Sequence, residues 1–123
     1  MKLHLANPRN GYTLTGYGTG FLTVNATRYE HPLVVTPDTD PEKWPVGSVH
    51  ELTAEAAALL LAKSPEIIII GTGPTQVFPE AARLRPLLEA RIGVEIMSTP
   101  AACRTYNVLM GEGRKVLAAI CLP

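Results

Sequence analysis

Pro65-Glu66-Ile67-Ile68-Ile69-Ile70-Gly71-Thr72-Gly73 decides how the rest of this chain is read. Four consecutive isoleucines, with no polar residue between them, predict a strand covered on both faces rather than a half-exposed one. Two glycines then stop it. Downstream, Pro79 to Ala90 reads as a helix with Pro86 inside it, and Gly93 releases the chain into the strand Val94-Glu95-Ile96-Met97. Thr99 reads as the cap of a further helix with Pro100 at its first position, Gly113 as its stop, and Val116–Cys121 as a last strand. The second half is therefore two consecutive β-α-β crossovers, and the expected fold class is α/β.

Working back from that stretch, Thr53 predicts an N-cap for a helix through about Ala62, apolar on most faces and expected to be largely buried. Thr36 to Val49 carries Pro37, Pro41, Pro45 and Gly47 and reads as a loop with at most a short strand; Trp44 within it is expected as a lid over one end of the core. Residues 11–36 read as a meander: Tyr12–Thr15, a turn marked by Gly16, Gly18 and Gly20, then Phe21–Val24, and Arg28-Tyr29 leading to Leu33–Thr36. Pro32 suggests that the last of these is an edge strand or bulged.

The chain has 123 residues, 46% of them hydrophobic and 18% charged, which suits one compact domain over 1–123. Eleven basic residues balance eleven acidic ones, a poor match to nucleic acid, whose partners carry a basic excess. The start, Met1 to Pro8, lacks the apolar core of a secretory signal, and Ala56–Ala62 and Ile67–Ile70 are too short to cross a bilayer. The expected location is the cytoplasm, with no membrane insertion. Cys103 and Cys121 share no metal-binding or redox spacing and read as structural thiols; His4, His31 and His50 are dispersed and suggest no metal.

Two segments are candidates for chemistry. At Gly71-Thr72-Gly73, backbone N–H groups at a strand-to-helix turn could hold a phosphate or carboxylate, with Thr72 and Gln76 as contacting side chains. Gln76 stands where a dinucleotide fingerprint has its third glycine, and no P-loop lysine follows. A tight structural turn and a small-anion loop both remain open. The second segment, Thr99 to Asn107, concentrates polar groups: Thr99 and Arg104 could join Thr72 at the carboxyl-end edge of the sheet, Arg104 supplying positive charge. Cys103 near the helix start has no histidine to activate it, Tyr106 and Asn107 read as a core-edge aromatic and a buried hydrogen-bonding group, and Glu95 as a lone strand carboxylate, paired or at an edge. No catalytic residue is assigned.

Taken together, Pro65-Glu66 with its aliphatic strand and Gly71-Thr72-Gly73, then Gly93 to Thr99, Ala102, Thr105-Tyr106-Asn107, Glu112-Gly113-Arg114 and Val116 to Ala119 resemble one small domain family. That family includes the mitochondrial complex I assembly factor 3 and many bacterial and archaeal proteins of unknown function. The resemblance implies a three-layer α/β domain: a central mixed sheet, flanking helices and an additional β-hairpin element. It brings no catalytic residues and no cofactor, and implies a non-enzymatic, assembly-type role through an unidentified protein partner, with a homo-oligomer also compatible. The alternative is a small-anion or small-molecule binder or enzyme using Gly71, Thr72, Gly73, Gln76, Thr99 and Arg104.

Overall fold

The computed structural model describes residues 11–123; the readings of His4 and of the Met1–Pro8 segment fall outside the described residues. The isoleucine stretch forms strand β6, Ile67–Gly71, one position in from the edge of a five-stranded sheet. It pairs in parallel with β7 (Gly93–Met97) on one side and with β8 (Val116–Ile120) on the other. Beyond β8 come β4 (Leu33–Val35) and then the two-residue β5 (Glu42–Lys43), both antiparallel to their neighbours. The sheet is mixed, in the order β5-β4-β8-β6-β7.

Alternate residues of β6 face two different layers. Ile68 and Ile70 join Leu117, Ala119, Trp44 and Leu60 under helices α1 (Ala54–Leu61) and α2 (Ala81–Glu89). Ile69 joins Ala118, Ile120, Cys103 and Tyr106 under α3 (Thr99–Gly111) and a small antiparallel sheet. That sheet is the meander β1 (Leu14–Gly18), β2 (Phe21–Val24) and β3 (Thr27–Tyr29). Helices thus cover both faces of a central mixed sheet, and the extra hairpin element lies on the α3 side, as expected.

Several local readings need correction. Gly16 and Gly18 lie inside β1 rather than in a turn, which falls at Thr19-Gly20. The register slips between Leu14 and Gly16, where Thr15 has no partner on β2 and its hydroxyl donates to the Asn25 carbonyl at 2.7 Å, so the glycine follows a bulge. Strand β4 is interior, paired with β5 on one side and β8 on the other, and Pro32 stands just before it, outside the ladder. Trp44 is no lid: it is inside the α1–α2 core, and its indole Nε1 is the buried side-chain polar atom without a partner among the described residues. Helix α1 is capped by the Thr53 hydroxyl, which accepts from the Ala56 N–H, but buries only Ala56, Ala57 and Leu60 and leaves Leu59 exposed.

Candidate functional site

The carboxyl end of β6 and the start of α3 meet at one hydrogen-bond node. Its centre is Thr99, fully buried although polar. The residue that caps α3 is Ser98, whose hydroxyl accepts from the Ala101 N–H; Thr99 is one position further, which turns its side chain inward. The Thr99 hydroxyl accepts from the Gly73 N–H at 2.9 Å and donates to the Cys121 carbonyl at 2.7 Å. The backbone reciprocates: the Thr99 N–H donates to the Gly73 carbonyl at 2.8 Å, and the Cys121 N–H to the Gly71 carbonyl at 2.9 Å. One hydroxyl therefore ties together the β6 turn, the first turn of α3 and the end of β8.

Thr72 serves the same purpose in the loop towards α2. Its hydroxyl donates to the Thr75 carbonyl at 2.6 Å and accepts from the Val77 N–H at 3.0 Å, holding that loop in shape. Its own N–H donates to the Met97 carbonyl. Gln76 is exposed but engaged, its amide donating to the Ile96 carbonyl on β7 at 2.9 Å. Gly71 allows the approach of α3: a Cβ there would sit 3.0 Å from the Thr99 hydroxyl and 3.2 Å from Ala102 and Ile120. Gly73 has φ +106°, a backbone conformation that other residues rarely adopt.

The structure therefore brings Gly71, Thr72, Gly73, Gln76 and Thr99 to one edge of the sheet. Arg104 is not among them. At 100° per residue it lies about 140° round the helix from Thr99, and it is exposed. The loop also differs from an anion cradle in two respects: α2 does not begin until Ala81, and the N–H groups of Thr72 and Gly73 already have acceptors. The cavities of the molecule include one of about 250 Å³ at the opposite, amino end of the parallel strands, bounded by Thr36, Asp38, Lys63, Pro65 and Lys115.

The other polar residues of the sequence pattern also face main chain. Asn107 closes the outer edge of β1, its Oδ1 accepting from the Leu14 N–H at 3.0 Å and its Nδ2 donating to the Leu14 carbonyl at 2.8 Å. The Tyr106 hydroxyl donates to the Tyr12 carbonyl at 2.7 Å. Glu66 accepts from the Lys115 N–H at 2.9 Å, donates its own N–H to the Lys115 carbonyl, and lies 3.9 Å from the Arg114 guanidinium. Burial pushes the Cys103 thiol up to about 12 and that of Cys121 up to about 11, against an ordinary 9.0, so both stay protonated and unreactive. What sequence reasoning missed is the flank beyond β7. There Leu84, Ile92, Val94 and Ile96 pack against the core but are only partly buried, and Leu88 on α2 and Phe78 just before it are exposed. The one signal for it was Glu95, a carboxylate in an apolar strand, which proves to be exposed on an edge strand.

The chain belongs to the family described as "Protein of unknown function (DUF498/DUF598)", whose model matches residues 14–121. Among characterised proteins it is 32% identical over 105 residues to the "13 kDa major membrane protein" of Francisella tularensis subsp. holarctica, covering 85% of each chain. It is 33% identical over 112 residues to the NADH dehydrogenase [ubiquinone] 1 alpha subcomplex assembly factor 3 of Rattus norvegicus, covering 89% of this chain but 60% of that one. Among solved structures it superposes on a protein of Bordetella parapertussis with a TM-score of 0.86 at 36% identity, covering 95% of this chain and 100% of that one. A Bordetella pertussis protein described as a Mth938-like domain gives 0.78 at 35% identity, covering 98% and 92%. Membership of a family that includes complex I assembly factors is thus shown. Among the described residues, no helix is long and apolar enough to cross a membrane.

Proposed function

We propose that this chain is a non-enzymatic binding domain of the assembly-factor kind, acting through protein–protein contact at the flank formed by α2 and β7. The observation that carries this reading is the apolar exposure of these elements: Phe78, just before α2, is 65% and Leu88 on α2 is 55% exposed, and Leu84, Val94 and Ile96, which pack against the core, are only partly buried. Apolar side chains left open to solvent on one flank are where partner contacts form. The assembly role named for the eukaryotic relatives supports the same reading, although this chain spans about 60% of their length. Its setting in this reading is the cytoplasm, where two free, buried cysteines remain reduced.

The rival reading, an anion site of Gly71, Thr72, Gly73, Gln76, Thr99 and Arg104, is less well supported. Its donors are engaged within the fold, and its one cation lies on another face of α3. The deciding experiment places a photo-crosslinking residue at position 78 in the native host, with a control at the exposed tip residue Thr19. A discrete protein adduct from position 78 that is lost on Leu88→Glu supports the contact reading. Equal labelling from both positions, with no discrete adduct, overturns it.

A further inference from the structure

Two unpaired charges border the cavity at the amino end of the parallel strands. Its volume is about 250 Å³, just below the roughly 300 Å³ at which small-molecule pockets begin. The walls are the loop 36–39 after β4, Lys63 after α1, Pro65 before β6, and Lys115 before β8. Pro37, Asp38 and Lys115 also border a second cavity of about 430 Å³. Bonds within the chain hold these walls in place. The Pro37 carbonyl accepts from the Tyr12 N–H at 3.1 Å, and the Thr36 and Thr39 hydroxyls bond each other on either side of Asp38. Opposite, Glu66 holds both the N–H and the carbonyl of Lys115. A site formed in advance loses little to ordering when it is occupied.

The charged groups here divide into engaged and free. The Lys63 ammonium pairs with Glu42, and the Arg114 guanidinium beside the second cavity lies 3.9 Å from Glu66. Neither Asp38 nor Lys115 has an ion-pair partner among the described residues, and they do not pair with each other. One free carboxylate and one free ammonium therefore stand on the wall common to both spaces.

We propose that the smaller cavity binds a zwitterion of the α-amino acid class, its carboxylate on Lys115, its ammonium on Asp38 and its apolar body against Pro37, Pro65 and Val116. This site is separate from the α2–β7 flank and does not depend on it. A simple anion would meet Lys115 but lie beside the Asp38 carboxylate, and a simple cation would have the converse fault. A molecule that carries both charges a few bonds apart satisfies both. The rest of the lining suits its side chain, because the two prolines have no N–H to offer and Val116 is aliphatic. A mostly apolar cavity with a few convergent polar groups is the usual composition of a small-molecule site.

Amide chemical-shift titration of the isotopically labelled chain tests this with three probes that share one branched apolar body. They are L-valine with both charges, isovalerate without the ammonium, and isobutylamine without the carboxylate. L-valine should shift the amides of Asp38, Lys115 and Val116 saturably below about 10 mM, and each analogue should bind about threefold more weakly or worse. Asp38→Asn should abolish the preference for valine over isovalerate, and Lys115→Gln the preference over isobutylamine. Both positions are exposed, so the melting temperature should stay as in the wild type. No saturable shift with valine, an analogue that binds as tightly, or a selectivity that survives both substitutions overturns the proposal. Cross-linking from position 78 judges the contact reading separately.

Discussion

Replacing Thr99 by valine tests whether the carboxyl-end node holds the fold together or awaits a ligand. The two side chains have nearly the same shape, so valine fills the space and removes only the hydroxyl. It leaves the Gly73 N–H and the Cys121 carbonyl without the partners they have at 2.9 and 2.7 Å, in a site with no exposure. A buried polar group left unpaired costs about 1–3 kcal/mol, so the two together cost about 2–5 kcal/mol. For a chain of this size each kcal/mol moves the melting temperature by roughly 4 °C, which gives a fall of roughly 10–20 °C.

The control is Thr99→Ser, which keeps both hydrogen bonds and deletes one buried methyl, at a cost of about 1 kcal/mol. Thermal and urea unfolding of the three ligand-free proteins compares them directly. The reasoning requires valine to be worse than serine by at least about 1 kcal/mol, one unpaired group at the low end of its cost. If valine proves as stable as serine, the hydroxyl does not hold the fold, and a ligand role for Thr99 regains its force.

Three further outcomes are expected. Asn107→Ala should free both backbone groups of Leu14, cost about 2–3 kcal/mol, and speed hydrogen exchange across Leu14–Val24 about tenfold or more while β6 and β8 stay protected. Gly71→Ala should destabilise by about 1–3 kcal/mol, because its methyl would meet Thr99, Ala102 and Ile120 at 3.0–3.2 Å; unfolding midpoints check this. Cys103 and Cys121 should resist thiol reagents near neutral pH until the protein is unfolded. Their folded-state pKa values lie above the ordinary 9.0, so the neutral thiols favour folding fully below pH 9, and this contribution is lost as pH rises from 9 towards about 11 and 12. Melting temperatures measured from neutral to pH 11 should therefore fall beyond pH 9, and less so in a Cys103→Ala, Cys121→Ala double variant.

The elements that could be read from the sequence are those made by neighbours along the chain. The unbroken Ile67–Ile70 run, the Thr53 cap and Gly113 after α3 all act within a few residues of themselves, and each appears where the pattern placed it; Gly93, read as the residue before β7, is the first residue of that strand. The misreadings concern long-range geometry. Ser98 and Thr99 are equally good caps by type, and only the approach of Gly73 and Cys121 shows that Thr99 turns inward. Gly16 and Gly18 look like turn glycines until the pairing of β1 with β2 places them in a bulged strand. Asn107 is legible as a hydrogen-bonding group, but its partner Leu14 lies 93 positions away and no periodicity on α3 points to it. The helix position of Arg104 was calculable, but which side of α3 faces the loop was not.

The residues that made the chain recognisable have one property in common. Glu66, Thr72, Thr99, Tyr106 and Asn107 each direct a side-chain oxygen or nitrogen at a backbone N–H or carbonyl, and most of the segments they join are far apart in sequence. Polar groups arranged for catalysis would instead converge on a space where a substrate could sit, with a base or nucleophile left free to react. Buried polar groups satisfied by main chain fix one arrangement of layers, and their loss is costly, so such a pattern can stay recognisable in proteins that share a framework without sharing a reaction. What distinguishes one member from another must then lie where the framework leaves groups unsatisfied. In this chain β7 is an edge strand of the central sheet, and Phe78 and Leu88 are exposed apolar side chains.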